Sequence, residues 1–109
     1  NIYVVLIGMK APPNMGYNYA TEFENMYRQI AEAYSVPLYP FALDGIVGRE
    51  DLNLADGYHP NAKGVDVMMD YIYPLVDTAV RWKLQVLDYQ RQVQQNDPMQ
   101  PMQPPPLPR

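Results

Sequence analysis

The six residues Ile2-Tyr3-Val4-Val5-Leu6-Ile7 form an unbroken apolar run that Gly8 terminates. A run without polar alternation fits a strand buried on both faces, and such strands belong to parallel sheets covered by helices. A parallel strand reaches its neighbour only through a crossover, so a helix and a second strand are expected to follow. Between Gly16 and Tyr34, the residues Ala20, Phe23, Tyr27, Ile30, Ala31 and Tyr34 fall on one helical stripe. Thr21 and Glu24 have the spacing of a capping box. Val36 to Leu43 is the second strand-like run, and Pro37 and Pro40 confine it to an edge or keep it short. Strand, helix and strand with short connections make a βαβ unit. The predicted fold class is therefore α/β with parallel strands.

Asp44 to Tyr58 reads as loop, with Gly45, Gly48 and Gly57, and Arg49 to Leu52 is compatible with one helical turn. Pro60 suits the first position of a helix. Val65, Met68, Met69, Ile72, Leu75, Val76 and Ala79 then recur at helical spacing, predicting an amphipathic helix over 60–80 that Pro74 kinks or divides. Trp82, Val86, Tyr89 and Val93 continue a helical stripe over 81–95. Of the 12 prolines, five fall between Pro101 and Pro108, so 96–109 is expected to be a disordered or polyproline-like tail, with a PxxP from Pro105 to Pro108. The expected organisation is thus an α/β portion over 1–80, a helical extension over 81–95 and a tail over 96–109.

At 109 residues the chain is one small domain at most. It begins at Asn1 directly in a strand-like run, and we read it as a piece of a larger domain. The formal charge is −4. The part through Val80 holds 10 acidic and 4 basic residues, a poor nucleic-acid surface. No apolar run is long enough to span a bilayer. There are no cysteines, hence no disulfides and no thiolate metal site. Asp44 with Asp51 offers too few oxygen donors for a cation loop. Neither a metal nor a cofactor is expected.

Chemistry can concentrate at Asp56-Gly57-Tyr58-His59-Pro60-Asn61, which holds the single histidine. A neutral imidazole takes a hydroxyl proton near pH 7 when a carboxylate holds its other nitrogen. Asp56, three residues before His59, can be that carboxylate across a tight Gly57 turn. The same residues also fit an ordinary turn leading into a helix, with a surface histidine. No nucleophile accompanies the pair. The one serine, Ser35, precedes the second strand, whereas His59 follows it. A five-residue strand spans about 17 Å, beyond hydrogen-bond reach. Ser35 is expected to be a turn residue. Met9, Pro12, Pro13 and Met15 either line an acyl or aryl pocket or form a plain loop.

Asp56-Gly57-Tyr58-His59-Pro60-Asn61 resembles the last conserved block of the SGNH, or GDSL, hydrolases. Leu6-Ile7-Gly8-Met9 with Ala11-Pro12-Pro13-Asn14-Met15-Gly16 is similar to the strand and substrate-side loop of the arylesterase and lysophospholipase/thioesterase I branch. Val36 to Phe41 and Leu43 to Ile46 resemble its next strand and loop, so the likeness covers roughly 1–80. It implies part of a three-layer α/β/α flavodoxin-like domain that hydrolyses small esters or thioesters through an acyl-enzyme. It implies that His59 is the general base, that Asp56 orients it, and that Met9, Ala11, Pro12, Pro13 and Asn14 contact substrate. The nucleophilic serine and the oxyanion-hole residues would lie upstream of Asn1, so the isolated chain would be catalytically incomplete, with the N-terminal half of the same domain as its partner. A periplasmic or secreted location is the one the resemblance favours. Oligomerisation is open. The competing reading is a non-catalytic interaction module working through the C-terminal helix and the Pro-rich tail.

Overall fold

A computed structural model describes residues 2–99, 101 and 103. Two short parallel strands, β1 (Leu6–Ile7) and β2 (Leu38–Tyr39), are joined through helix α1 (Tyr17–Tyr34). A long helix, α2 (Ala62–Asn96), closes the chain. Single 3-10 turns precede each helix, at Pro13–Met15 and Glu50–Leu52. The βαβ order is the predicted one, and so is the parallel pairing, with Leu6 opposite Leu38 and Ile7 opposite Tyr39.

Both strands are shorter than the apolar runs that announce them. Pro37 carries no N–H and so adds no donor at the start of β2, while beyond Pro40 the next donor toward β1 is Ala42 N–H, which reaches the Gly8 carbonyl (2.9 Å). The ladder instead closes with Leu6 N–H donating to the Pro37 carbonyl (2.9 Å) and Gly8 N–H to the Tyr39 carbonyl (2.8 Å). Gly8 is required there, since a Cβ would collide with the Pro40 carbonyl. Among the described residues, Ile2 to Val5 pair with no second strand, and Ile2 and Val4 are exposed.

α1 begins at Tyr17, in keeping with a helical pattern from about Gly16, so Thr21 lies inside the helix and is not its cap. The Thr21 hydroxyl bonds back to the Tyr17 carbonyl inside the helix, the usual alternative for a mid-helix threonine. Ser35 closes the helix in the left-handed conformation, φ 52°, and is a turn residue as expected. Ala31 is buried, and Phe23 packs edge-on to Tyr27 along the predicted stripe.

α2 runs through Pro74 without being divided and includes the 81–95 segment. At about 1.5 Å per residue its length is about 52 Å. Ile72, Ala79 and Val86, each seven apart, are its buried apolar residues, and the Trp82 ring lies 4.6 Å from that of Tyr3. The helix starts at Ala62 with Asn61 as its cap, so Pro60 is not its first residue. No helix among the described residues is long and apolar enough to cross a membrane. The PxxP at Pro105 to Pro108 lies outside the described residues.

Candidate active site

The loop that carries Asp56 and His59 is a pinched hairpin. Asn61 N–H donates to the Leu52 carbonyl (3.0 Å) and Leu54 N–H to the His59 carbonyl (2.8 Å), on either side of an antiparallel bridge between Asn53 and Pro60. Gly57 turns the chain at φ 73°. Behind the hairpin sit Leu52, buried, and Ile46, fully buried, so the loop rests on a packed base.

Within that turn Asp56 uses both carboxylate oxygens. Oδ1 accepts from the backbone N–H of Tyr58 (2.9 Å) and of His59 (3.0 Å). Oδ2 faces His59 Nδ1 at 2.5 Å. The His59 backbone N–H, then its ring, then the Tyr58 N–H hold the Asp56 carboxyl down to about 2. Hydrogen bonds to the charged form dominate here, because the carboxylate is exposed and burial opposes the shift. With Nδ1 engaged, Nε2 is the nitrogen left for another group. The His59 side chain is 74% exposed, so the ring is open to a reacting partner.

His59 lines an open groove of about 640 Å³. Met9 to Pro13 form one wall, and Phe41, Leu43, Ile46 and Val47 form another. Gly57 to Pro60 supply the side that bears the imidazole. Four of the five loop residues singled out from the sequence, Met9, Ala11, Pro12 and Pro13, thus meet His59 in one place. Asn14 does not line the groove; it is taken up in the 3-10 turn after Pro12. Asp56 lies on the far side of the imidazole, in a separate depression with Gly48 and Arg49. Acid behind, base in front and an apolar trough beyond is an arrangement able to move a proton at a bound apolar substrate.

Ser35 lies elsewhere. It borders an apolar depression with Ile2, Val4, Leu6 and Ile30, and no residue of that depression lines the His59 groove.

Three contributors escaped the sequence. Lys10 rims the groove, its ammonium 5.1 Å from the Phe41 ring centre and 4.0 Å from Glu24 Oε1. Asn53 donates through Nδ2 to the carbonyls of Ile46 (2.7 Å) and Arg49 (2.8 Å). Asn61 caps α2, its Oδ1 accepting from Gly64 N–H at 2.9 Å. The cap had a legible signal, since Asn is a favoured cap residue and a periodic helix follows it. Gly64 leaves no room for a side chain, because a Cβ would strike the Leu52 carbonyl.

No protein-family model matches the chain. Esterase TesA of Pseudomonas aeruginosa is 32% identical over 71 residues, which are 65% of this chain and 35% of that protein. The thioesterase 1/protease 1/lysophospholipase L1 of Escherichia coli K12 is 30% identical over 71% of this chain and 39% of its own length. The chain therefore spans little more than a third of these relatives. Among solved structures, a crystal structure of TesA superposes with a TM-score of 0.64 at 30% identity, covering 71% of this chain and 43% of that one. AlinE4, described as an SGNH-hydrolase family esterase, is 40% identical over 72% of this chain and 41% of its own, with a TM-score of 0.48. Across about 65–70% of its length, this chain is similar to these esterases and thioesterases.

Proposed function

We propose that this chain is the carboxyl-terminal part of an SGNH-type serine esterase, with His59 as general base and Asp56 as the residue that orients it. The observation that carries the reading is the Asp56 Oδ2 to His59 Nδ1 contact of 2.5 Å beside an apolar groove. In the complete enzyme a serine hydroxyl from the rest of the domain gives its proton to His59 Nε2 as its oxygen attacks the ester carbon. The imidazolium, stabilised by ionised Asp56, then returns that proton to the departing alcohol or thiol. Water enters, loses a proton to the same nitrogen and attacks the acyl carbon; the bond to the serine oxygen breaks, that oxygen takes the proton back from His59, and the acid leaves. The rest of the domain completes a three-layer α/β/α sheet fold and supplies the oxyanion donors. Met9, Ala11, Pro12 and Pro13, with the 44–55 loop, are the substrate-side residues in this reading. The substrates are small esters or thioesters, in keeping with the names of the relatives.

The test is reconstitution. This chain is joined to, or co-expressed with, the upstream half of the domain, and hydrolysis of a short-chain aryl ester is measured. His59→Ala should lower kcat/KM by several orders of magnitude. An essentially unchanged value rejects the assignment.

A rival reading rests on one exposed face of α2, where Val80, Leu84 and Leu87 recur at helical spacing. Those residues suit a binding helix in a non-catalytic module. Partner capture through α2 with no serine-dependent hydrolysis on reconstitution would favour it.

A further inference from the structure

The hairpin that carries Asp56 and His59 is poor in backbone bonds. Two main-chain hydrogen bonds cross it, Asn61 to Leu52 and Leu54 to His59. The return bonds that a regular ladder would make are diverted. Leu52 N–H turns to the Arg49 carbonyl, and His59 N–H turns to Asp56 Oδ1. Something else has to hold the two arms together, because two bonds in water do not fix a loop against fraying.

The Asn61 side chain meets that need. Its Oδ1 caps α2 by accepting from Gly64 N–H. Its Nδ2 reaches back across the hairpin to the Asp51 carbonyl at 2.9 Å and, more weakly, to the Asn53 carbonyl at 3.4 Å. Capping needs only the oxygen, and serine or threonine supplies it as well. The nitrogen end exceeds what a cap requires. It ties the arm bearing His59 to the arm before Leu54, whose Asn53 is itself fastened to the Ile46 and Arg49 carbonyls. The clip thus runs from the start of α2 through the hairpin to the fully buried Ile46.

We propose that Asn61 is a positioning residue for the Asp56–His59 pair. Its Nδ2 clip keeps the hairpin closed, so that the imidazole keeps Nδ1 on Asp56 while it borders the groove. The value of this placement to catalysis rests on the esterase reading above, but the placement itself is measurable without turnover.

The single histidine gives an uncrowded probe. Asn61→Ser keeps an oxygen for Gly64 N–H and removes the donor; Asn61→Ala removes both. On the full chain, the expected result for Asn61→Ser is parental helix content and thermal midpoint. Its His59 imidazole resonances should move away from the Asp56-bound pattern, with the Nδ1 proton exchanging faster with water. Asn61→Ala should show the same change at His59 together with a lowered midpoint. In the reconstituted enzyme, Asn61→Ser should lower kcat by about 10²-fold, the scale of an ångström-level misplacement, with KM unchanged. Parental histidine resonances in Asn61→Ser overturn the proposal. So does a chain that unfolds with either substitution, since Asn61 then serves the fold alone. If the resonances move as expected but the reconstituted parent hydrolyses no ester, the clip stands and the esterase reading is what fails.

Discussion

Asp56 is an exposed carboxylate that behaves as a held one. Its two oxygens accept from two backbone N–H groups and face one imidazole nitrogen, and these contacts together bring its pKa from 3.8 to about 2. A carboxyl with a folded pKa below its unfolded value adds stability that is fully present above about pH 4 and is lost as pH falls through about 2. The turn should therefore stay closed at pH 3, where an unperturbed aspartate is already mostly protonated. Carbon-detected NMR of the Asp56 carboxyl should titrate with a midpoint near 2; a midpoint near 3.8 would mean that the three contacts do not persist in solution. Asp56→Asn should abolish that titration and leave His59 without a charged partner. In the reconstituted enzyme the cost should be about 10⁴-fold in kcat, the scale seen when an orienting aspartate is neutralised. The Asp56–His59 spacing was legible because the chemistry depends on residue types three positions apart. The Asn61 and Asn53 contacts were not, since each ends on carbonyl oxygens that every residue possesses, four to ten positions away.

At the scale of elements, the start of α2 is set by a backbone contact. Gly64 lies in the first turn and presses on the Leu52 carbonyl, the same carbonyl that accepts from Asn61 N–H. Two effects compete on replacing it by alanine. Helix propensity favours alanine by about 0.8–1.0 kcal/mol, while forcing a methyl into filled space costs about 1–3 kcal/mol. The obstructing atom is backbone and cannot swing aside, so the second effect should win. Gly64→Ala should lower the thermal midpoint and disturb His59, whereas a raised midpoint would mean that helix and hairpin can slide apart. Pro74 poses the opposite case. It sits within an uninterrupted helix and offers no N–H to the preceding turn. Pro74→Ala should stabilise the chain by up to about 3 kcal/mol, readable as a higher urea midpoint with unchanged slope. Element types were legible from periodicity, and α1 over Tyr17–Tyr34 nearly matches its stripe. Strand extent was not, because Ile2 to Val5 have the composition of a strand but no neighbour to pair with among the described residues. The continuity of α2 was hidden by Pro74, a residue type that signals a kink or a break.

For the molecule as a whole, the decisive feature is the apolar surface left around β1. Ile2, Val4 and Ile7 are exposed on or beside the strand, and Ile30 and Tyr34 are exposed on the adjoining end of α1. Several of these border one depression of about 450 Å³, on a surface separate from the His59 groove. Contiguous apolar surface of this kind favours contact with another polypeptide, and an unpaired strand edge offers backbone groups to pair. The chain also spans little more than a third of its relatives' length, so the esterase reading requires a larger partner segment somewhere. If that segment pairs against β1, its serine must still reach His59 Nε2 at the groove. The resulting expectation is that the chain alone binds a hydrophobic dye such as ANS and self-associates at micromolar concentration. Adding the upstream half should suppress both and raise the thermal midpoint. Val4→Lys should weaken that assembly, because a charge replaces an apolar group at the contact, and should restore dye binding without altering the Asp56–His59 resonances. If esterase activity instead appears on mixing while dye binding and self-association persist, the upstream half docks elsewhere and the β1 surface has another partner.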